Sequence, residues 1–464
     1  MQQAESGVGG TATLSGRAAE AVSSYHAALA ADTELARETS EALVRAHHDR
    51  RLMMQGRLLC NVLRPRFLDA SASNALGLAA AAIAGILERA GEAMLRSGGQ
   101  LRSIGASDVE QEIWSIDPGY AGLTLTSRLD AFIAAGRIRF IEYNAESPAG
   151  IGYCDSLTEV FHRLPAMQRW VAHRGFEPQN ARRRLWESLL AAYRQWGGTD
   201  TPRIAIVDWQ DVPTKRDFEL CAEYFRDQGA WVGISDPRAL TYRRGQVFLG
   251  DDRITLVYRR VLLHELLARA SDARALLYAY RDGAVCMVNS PRSKLLHKKT
   301  VFALLSEGAL GVDLDHGERD LVETVIPWTR RLALGRTTLD GREIDLRQAL
   351  IDDPERFAVK PVDDYGGKGV VLGWETDPEH WKRLVNNSPE SAYIVQERVE
   401  VPQEEFPVYR DGSLHLESLS VDTDPLLFRG EMGSILTRMS GSALLNVTAG
   451  SGSTTPTFVL EEDG

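Results

Sequence analysis

The chain has 464 residues, with 64 Asp and Glu against 53 Lys and Arg, for a net charge of −11. That length exceeds one ordinary hydrophobic core and predicts two to four domains or subdomains. The composition, 44% hydrophobic and 25% charged, is that of a soluble globular protein, and the acidic balance argues against general nucleic-acid or anionic-membrane binding.

The N-terminal stretch "MQQAESGVGGTATLSGRAAEA" has no basic segment followed by an apolar core, so no signal peptide is expected and the first ten or so residues read as disordered. From about Gly16 to Ser97 the spacing of Ala, Leu, Arg and Glu predicts helices, with a break at "RPRFLDASASN". The most apolar window, Leu76 to Leu87, is too short to span a bilayer and reads as a buried Ala-rich helix. Cys60, Cys154, Cys221 and Cys286 lack metal or redox spacing and read as buried thiols of a reducing compartment, which predicts a cytoplasmic protein.

Beyond Ser115 two strand-like runs, "GLTLTSRLDAFIA" and "RIRFIEYN", predict a hairpin turning around Gly136. Two helical segments follow. From Thr201, "PRIAIVDW", "TKRDFELCAEYFRDQG" and "AWVGIS" predict a β-α-β unit and a small parallel sheet. "PRSKLLHKKTVFALLSEGAL" predicts a helix with lysines near its start. "RFAVKPVDDYGGKGVVLGW" predicts strand, glycine loop and strand, and "AYIVQERVE" a further strand.

Alternation along Arg137–Asn144 sets Glu142 and Asn144 in line with Ile138 and Phe140. A turn centred on Gly136 places Asp130 opposite Glu142 and Arg128 opposite Asn144. Two carboxylates about 5 Å apart repel unless a cation lies between them or one is protonated. Hard oxygen donors suit Mg²⁺, which shares its shell with water and phosphates. Ion pairing with neighbours such as Arg128 accounts for the same residues without a metal.

In the glycine loop, Gly366, Gly367 and Gly369 allow backbone amides to approach an anion, and Lys360 and Lys368 supply charge suited to phosphate. An ordinary hairpin with solvated lysines fits the same string. Arg259 and Arg260 read equally as a carboxylate clamp or as solvated strand-end residues. His264 and His297 read as structural.

Taken in order, "LD…IEYNAESPAG", "HKKTVFALL", "FAVKPVDDYGGKGV" and "YIVQERV" resemble the motifs of the circularly permuted ATP-grasp family of glutathionylspermidine synthetase-like enzymes, over roughly residues 110 to 450. The resemblance implies an α/β (α+β) architecture, an ATP-grasp fold in circularly permuted order. Its expected parts are a helical N-terminal region (1–100), a Mg-binding part (101–200), a β-α-β substrate subdomain (201–290) and a nucleotide-binding part (291–464). It implies Asp130, Glu142 and Asn144 as Mg²⁺ ligands, and Arg128 and Arg438 as catalytic. Lys299, Lys360, Lys368 and the Gly366, Gly367 and Gly369 backbone would bind ATP phosphates, with Gln396 and Glu397 along adenine and ribose. The implied activity is ATP-dependent carboxylate–amine ligation through an acyl phosphate, with a small-molecule or peptide carboxylate and an amine as substrates and neither nucleic acid nor membrane as partner. The alternatives are an ATP-grasp phosphotransferase or kinase, and a nucleotide-binding protein without ligase activity. The family's amidase domain has no counterpart here, and the sequence between Lys299 and Lys360 departs from true glutathionylspermidine synthetases.

Overall fold

Three sheets position the site. The computed structural model describes residues 16–99, 101–171, 176–177, 180–364, 366–390, 392–442, 445 and 452–461. The first residues, read above as disordered, and most of the loop preceding Gly452 lie outside that set. The fold is mixed α/β, with helices packed around several sheets.

The central sheet has nine strands. Its main path runs Gln403–Arg410, Ser413–Val421, Glu431–Ser440, Asp424–Phe428, Thr126–Ala134 and Arg137–Asn144. Ser453–Leu460 branches from Glu431–Ser440 and pairs in parallel with Arg66–Asp69. The stretch "RFLD" is therefore a strand, not a break between helices. Arg66, Phe67 and Leu68 are all buried, and a strand buried on both faces shows no alternation by which to recognise it. The 28-residue helix Ala70–Ser97 follows at once. Among the described residues it is the one helix long and apolar enough to cross a membrane. Its Leu76, Ala80, Ile83, Leu87 and Met94 are buried in the main core.

The Thr126–Ala134 and Arg137–Asn144 hairpin turns at Ala135–Gly136, both with positive φ (48° and 75°), the two-residue turn whose twist suits paired strands. This turn is one residue shorter than a loop centred on Gly136. A β-bulge compensates: Asp130 faces Glu142, yet Ala131 faces Phe140, so Ile141 is the extra residue. The expected pairs Asp130–Glu142 and Arg128–Asn144 therefore form, but the alternation does not run through. The bulge turns Phe140 into the core with Leu129, Ala131 and Tyr143. Glu142 and Asn144 fall on the other face, with Arg128 and Asp130.

The second sheet is antiparallel, in the order Thr329–Arg331, Tyr393–Glu397, Phe357–Pro361, Val371–Leu372. It has its own core of Leu332, Leu350, Phe357, Val359, Trp381, Val385 and Val395. The third sheet is parallel, in the order Cys286–Val288, Leu256–Arg259, Ile204–Val207, Val232–Ser235, with Lys215–Asp227 as the helix between its first two strands in sequence.

One predicted helix is divided. Ser293–His297 and Thr300–Ser306 are separate, because Lys298 adopts an extended conformation between them. That kink sends Lys298 and Lys299 in different directions.

Candidate active site

The hairpin beyond its bulge carries a buried cluster of charges. Arg128 Nε donates to Asp130 Oδ1 at 2.9 Å, and Asn144 Nδ2 donates to the same oxygen at 2.9 Å. Arg438, from Glu431–Ser440, donates through Nη2 to Asp130 Oδ2 at 2.7 Å. Burial resists ionisation of Asp130, but Arg128 and Arg438 outweigh it and hold the carboxyl well below the usual range. The structure thus brings Arg128, Asp130, Asn144 and Arg438 into one buried cluster, across 308 positions of sequence between Asp130 and Arg438.

Two lysines meet the second strand of the same hairpin at consecutive residues. Lys299, opening the helix Thr300–Ser306, lies 3.2 Å from Glu142 Oε1 and donates to the carbonyl of Asp364. Lys360, on Phe357–Pro361, donates to the carbonyl of Ile141 at 3.3 Å and to Gln396 Oε1 at 2.6 Å. Burial pulls the Lys360 ammonium down to about 8; Glu142 opposes the fall and Lys299 adds to it.

The remaining predicted residues divide. Gly366, Gly367 and Gly369 all have positive φ in the loop that joins Phe357–Pro361 to Val371–Leu372. Lys368 is exposed, 3.9 Å from Asp364. Gln396 is buried and spans Lys360 and Thr329, whereas Glu397 pairs with Arg356 and lines a cleft of about 490 Å³ with Trp328, Arg398 and the hairpin residue Arg139. Arg259 and Arg260 are not solvated. Arg259 is wholly buried, donating to Glu146 Oε1 at 2.8 Å and to the carbonyls of Val261, Asn289 and Ser290. Arg260 donates to the Pro148 carbonyl at 2.7 Å. With a fifth bond to Ser293 Oγ at 3.1 Å, all of Arg259's donors are used within the fold.

Sequence reasoning missed five acidic residues and two lysines. Asp422 and Asp424, from "VDTDP", flank Arg438, with Asp424 Oδ2 at 3.0 Å from Arg438 and 3.5 Å from Arg128. Glu146 and Asp363 hold Lys294, while Lys298 bridges Asp363 and Glu110, each at 3.0 Å. The Asp-x-Asp spacing was the available signal for the first pair. The group around Lys294 and Lys298 carries none, because Glu110, Glu146, the two lysines and Asp363 come from four separate segments.

Asp130, Glu142 and Asn144 bring two carboxylates and an amide to one face of the hairpin. Among the described residues no three His, Cys, Asp or Glu side chains are grouped to hold a metal. Two opposed carboxylates and an amide nonetheless fit Mg²⁺, which takes one or two protein carboxylates and completes its shell from phosphates and water. Arg128, Arg438 and Lys299 now face these carboxylates, and Asn144 presents its nitrogen, so a cation there needs the amide turned over. Asp424 Oδ2 accepts no well-formed hydrogen bond, although Arg438 and Arg128 lie 3.0 and 3.5 Å from it.

No family model matches the chain. A stretch of 239 residues, 48% of this chain, is 26% identical to a protein of Frankia alni provisionally named glutamate–cysteine ligase 2-3, covering 26% of that protein. A protein of Frankia casuarinae provisionally named glutamate–cysteine ligase 2-2 is 32% identical over 114 residues, 22% of this chain and 12% of its own length. The chain therefore spans about a quarter or less of the length of these relatives. A glutathione synthetase-like effector from Globodera pallida, in its apo form, superposes with a TM-score of 0.57 at 10% identity, over 92% of this chain and 97% of that one, a similarity of fold.

Proposed function

We propose that the chain is an ATP-dependent carboxylate–amine ligase of the circularly permuted ATP-grasp type, forming an amide through an acyl phosphate. The observation that carries this reading is the convergence of Lys299 and Lys360, from two separate elements, on Ile141 and Glu142 beside the Arg128–Asp130–Arg438 cluster. The regional similarity to proteins named as ligases, and the fold shared with a synthetase-like protein, support the same class.

On this reading residues 101–200 and 291–464 form the two parts of the ATP-grasp, and 201–290 the substrate subdomain. Lys299 and Lys360 neutralise ATP phosphates, and the glycine loop closes over them and excludes water. Gln396, already bonded to Lys360, orients that ammonium, while Glu397 faces the nucleoside cleft. Asp130, Glu142 and Asn144 would hold Mg²⁺, which supplies charge neutralisation to the phosphates when bound. Arg128 and Arg438 face the oxygen atoms on which charge builds as the substrate carboxylate takes the γ-phosphoryl group. An amine then displaces phosphate from the acyl carbon. The protein's contribution is positioning and charge, with no covalent nucleophile required.

The test is ADP release from Mg·ATP with acid substrates, with and without added amines. Ligation predicts ADP release that yields an amide only when acid and amine are both present. A stable phosphorylated product formed without amine would replace the ligase reading with a kinase one. Absence of Mg·ATP binding by calorimetry, or wild-type turnover in Asp130→Ala and Glu142→Ala, would remove the assignment of the site.

A further inference from the structure

The strands Ser413–Val421 and Asp424–Phe428 are joined through Asp422 and Thr423, and this short connection with Asp424 contacts Arg438, Arg128 and Ala131. Asp422 holds one residue at two points. Its Oδ1 accepts the backbone N–H of Arg438 at 2.7 Å and its Oδ2 accepts Arg438 Nε at 2.6 Å. A single carboxylate thus ties the Arg438 side chain to its own backbone, which fixes the direction of the guanidinium plane. The Asp422 N–H donates in return to the Arg438 carbonyl at 3.1 Å.

Asp424 lies between the two guanidinium groups, with Oδ2 at 3.0 Å from Arg438 and 3.5 Å from Arg128. Its oxygen separates two like-charged groups that share one buried space with Asp130. Its other oxygen accepts the N–H of Ala131 at 3.0 Å, and the Thr423 N–H donates to the Ala131 carbonyl at 2.8 Å. Both backbone groups of Ala131 are therefore taken by the turn. Ala131 is the residue at which the hairpin register shifts, so the same turn pins the bulge that presents Asp130 and Glu142 on one face. From the far side Arg66, in the N-terminal strand, donates to the Asp422 carbonyl at 3.2 Å and to Thr423 Oγ1, while pairing with Glu404 at 2.9 Å. The turn is thereby braced against a part of the chain remote in sequence from every nucleotide-facing residue.

We propose that Asp422 and Asp424 are positioning residues, which act through Arg438 and Arg128 to hold both guanidinium groups at the reacting end, with Arg66 as the brace. This rests on the ligase reading above. A guanidinium fixed before substrate arrives need not be reorganised when charge develops, which is where preorganised donors gain most of their effect.

Asp422→Asn and Asp424→Asn are suited to the test, because each keeps the oxygen that accepts a backbone N–H and puts an amide nitrogen, a donor, in place of the oxygen that faces arginine. In ADP release from Mg·ATP with an amino-acid mixture as acid and amine source, kcat should fall by roughly tenfold to a hundredfold in each, below the effect of deleting a donor outright, while KM for ATP moves less than about threefold. In an Arg438→Ala background Asp422→Asn should cost nothing further, since its target is gone. Thr423→Val, which removes only the contact to Arg66, should lower kcat by a smaller factor and serves if the aspartate variants fail to fold. An equal loss of kcat from Asp422→Asn in both backgrounds overturns the proposal, as does unchanged kcat in Asp422→Asn, Asp424→Asn or Thr423→Val. A wild-type chain that binds Mg·ATP but never releases ADP defeats the ligase reading as well, whereas turnover with additive variants defeats only the positioning role.

Discussion

Lys294 and Lys360 are both buried lysines, and they are held in opposite ways. Lys294 meets two carboxylates, Glu146 Oε2 at 3.4 Å and Asp363. Burial alone would lower its pKa, but Glu146 and Asp363 raise it above the ordinary value. Lys360 meets only neutral oxygens, the Ile141 carbonyl and Gln396 Oε1, and falls to about 8. Lys294, held by two carboxylates, is already neutralised within the fold. A buried cation with neutral partners is electrostatically incomplete, and an incoming phosphate would complete it. The contrast separates the ionic frame, which ties the parallel sheet to the root of the glycine loop, from Lys360, which we propose meets the nucleotide.

The largest expected effect breaks the frame. Lys294→Met removes the cation that Glu146 and Asp363 share, leaving Arg259 on the first and Lys298 on the second, so the loss reaches at most the roughly 3–5 kcal/mol of breaking a buried pair. Urea unfolding should show that loss in the midpoint. Lys360→Met should do the reverse. It removes a burial cost and leaves Gln396 Oε1 and the Ile141 carbonyl without a donor, opposing changes that keep stability within about 2 kcal/mol of wild type. Its ADP release should nonetheless fall by roughly 10²–10³-fold. If Lys360→Met unfolds the protein while Lys294→Met does not, the two roles are exchanged.

The second prediction concerns protons. The Lys360 pKa in the free protein, about 8, lies below the ordinary lysine value near 10.4. Between those values the folded state binds fewer protons than the unfolded one, so the Lys360 contribution to stability rises with pH through that window and is most unfavourable below about pH 8. Phosphate binding favours the charged form and restores the proton. Mg·ATP binding should therefore take up most of a proton at about pH 9 and almost none at about pH 6.5. Calorimetry in buffers of different ionisation enthalpy reads this directly. Equal uptake at both values would mean that Lys360 does not meet the phosphates.

Much of this contrast was legible in the string, and the failures have physical causes. The order of hairpin, lysines, glycine loop and "YIVQE" strand could be read because each is local and bounded by turn residues. The pairing of Asp130 with Glu142 was reached through a turn one residue too long and an alternation with no bulge, two errors that cancel at the site and nowhere else on the hairpin. Asp422 and Asp424 were passed over because their partners, Arg438 and Ala131, come from different strands. Arg66 was hidden because its strand is buried on both faces. Lys294 and Lys360 look alike in sequence, since what distinguishes them is whether an acid or an amide arrives from elsewhere in the chain.

The smallest expected effect lies beside Lys360. Gly369 has φ +69°, and a Cβ there would lie 2.7 Å from Cγ of Pro361, the residue after Lys360. Gly412, at the tip of the hairpin formed by Gln403–Arg410 and Ser413–Val421, has φ +77° and open space around it. Alanine at either position bears the left-handed strain of about 1 kcal/mol, but only Gly369→Ala also displaces Pro361. The prediction is a rise of about three- to tenfold in KM for ATP in Gly369→Ala, with kcat changed less, and no change in either constant for Gly412→Ala. Both variants should keep the urea midpoint within about 1–2 kcal/mol of wild type, because neither touches the Lys294 frame. Equal KM shifts in the two would mean that strain alone is being read. A shift confined to Gly369→Ala ties the loop's close packing on Pro361 to the lysine that meets the nucleotide.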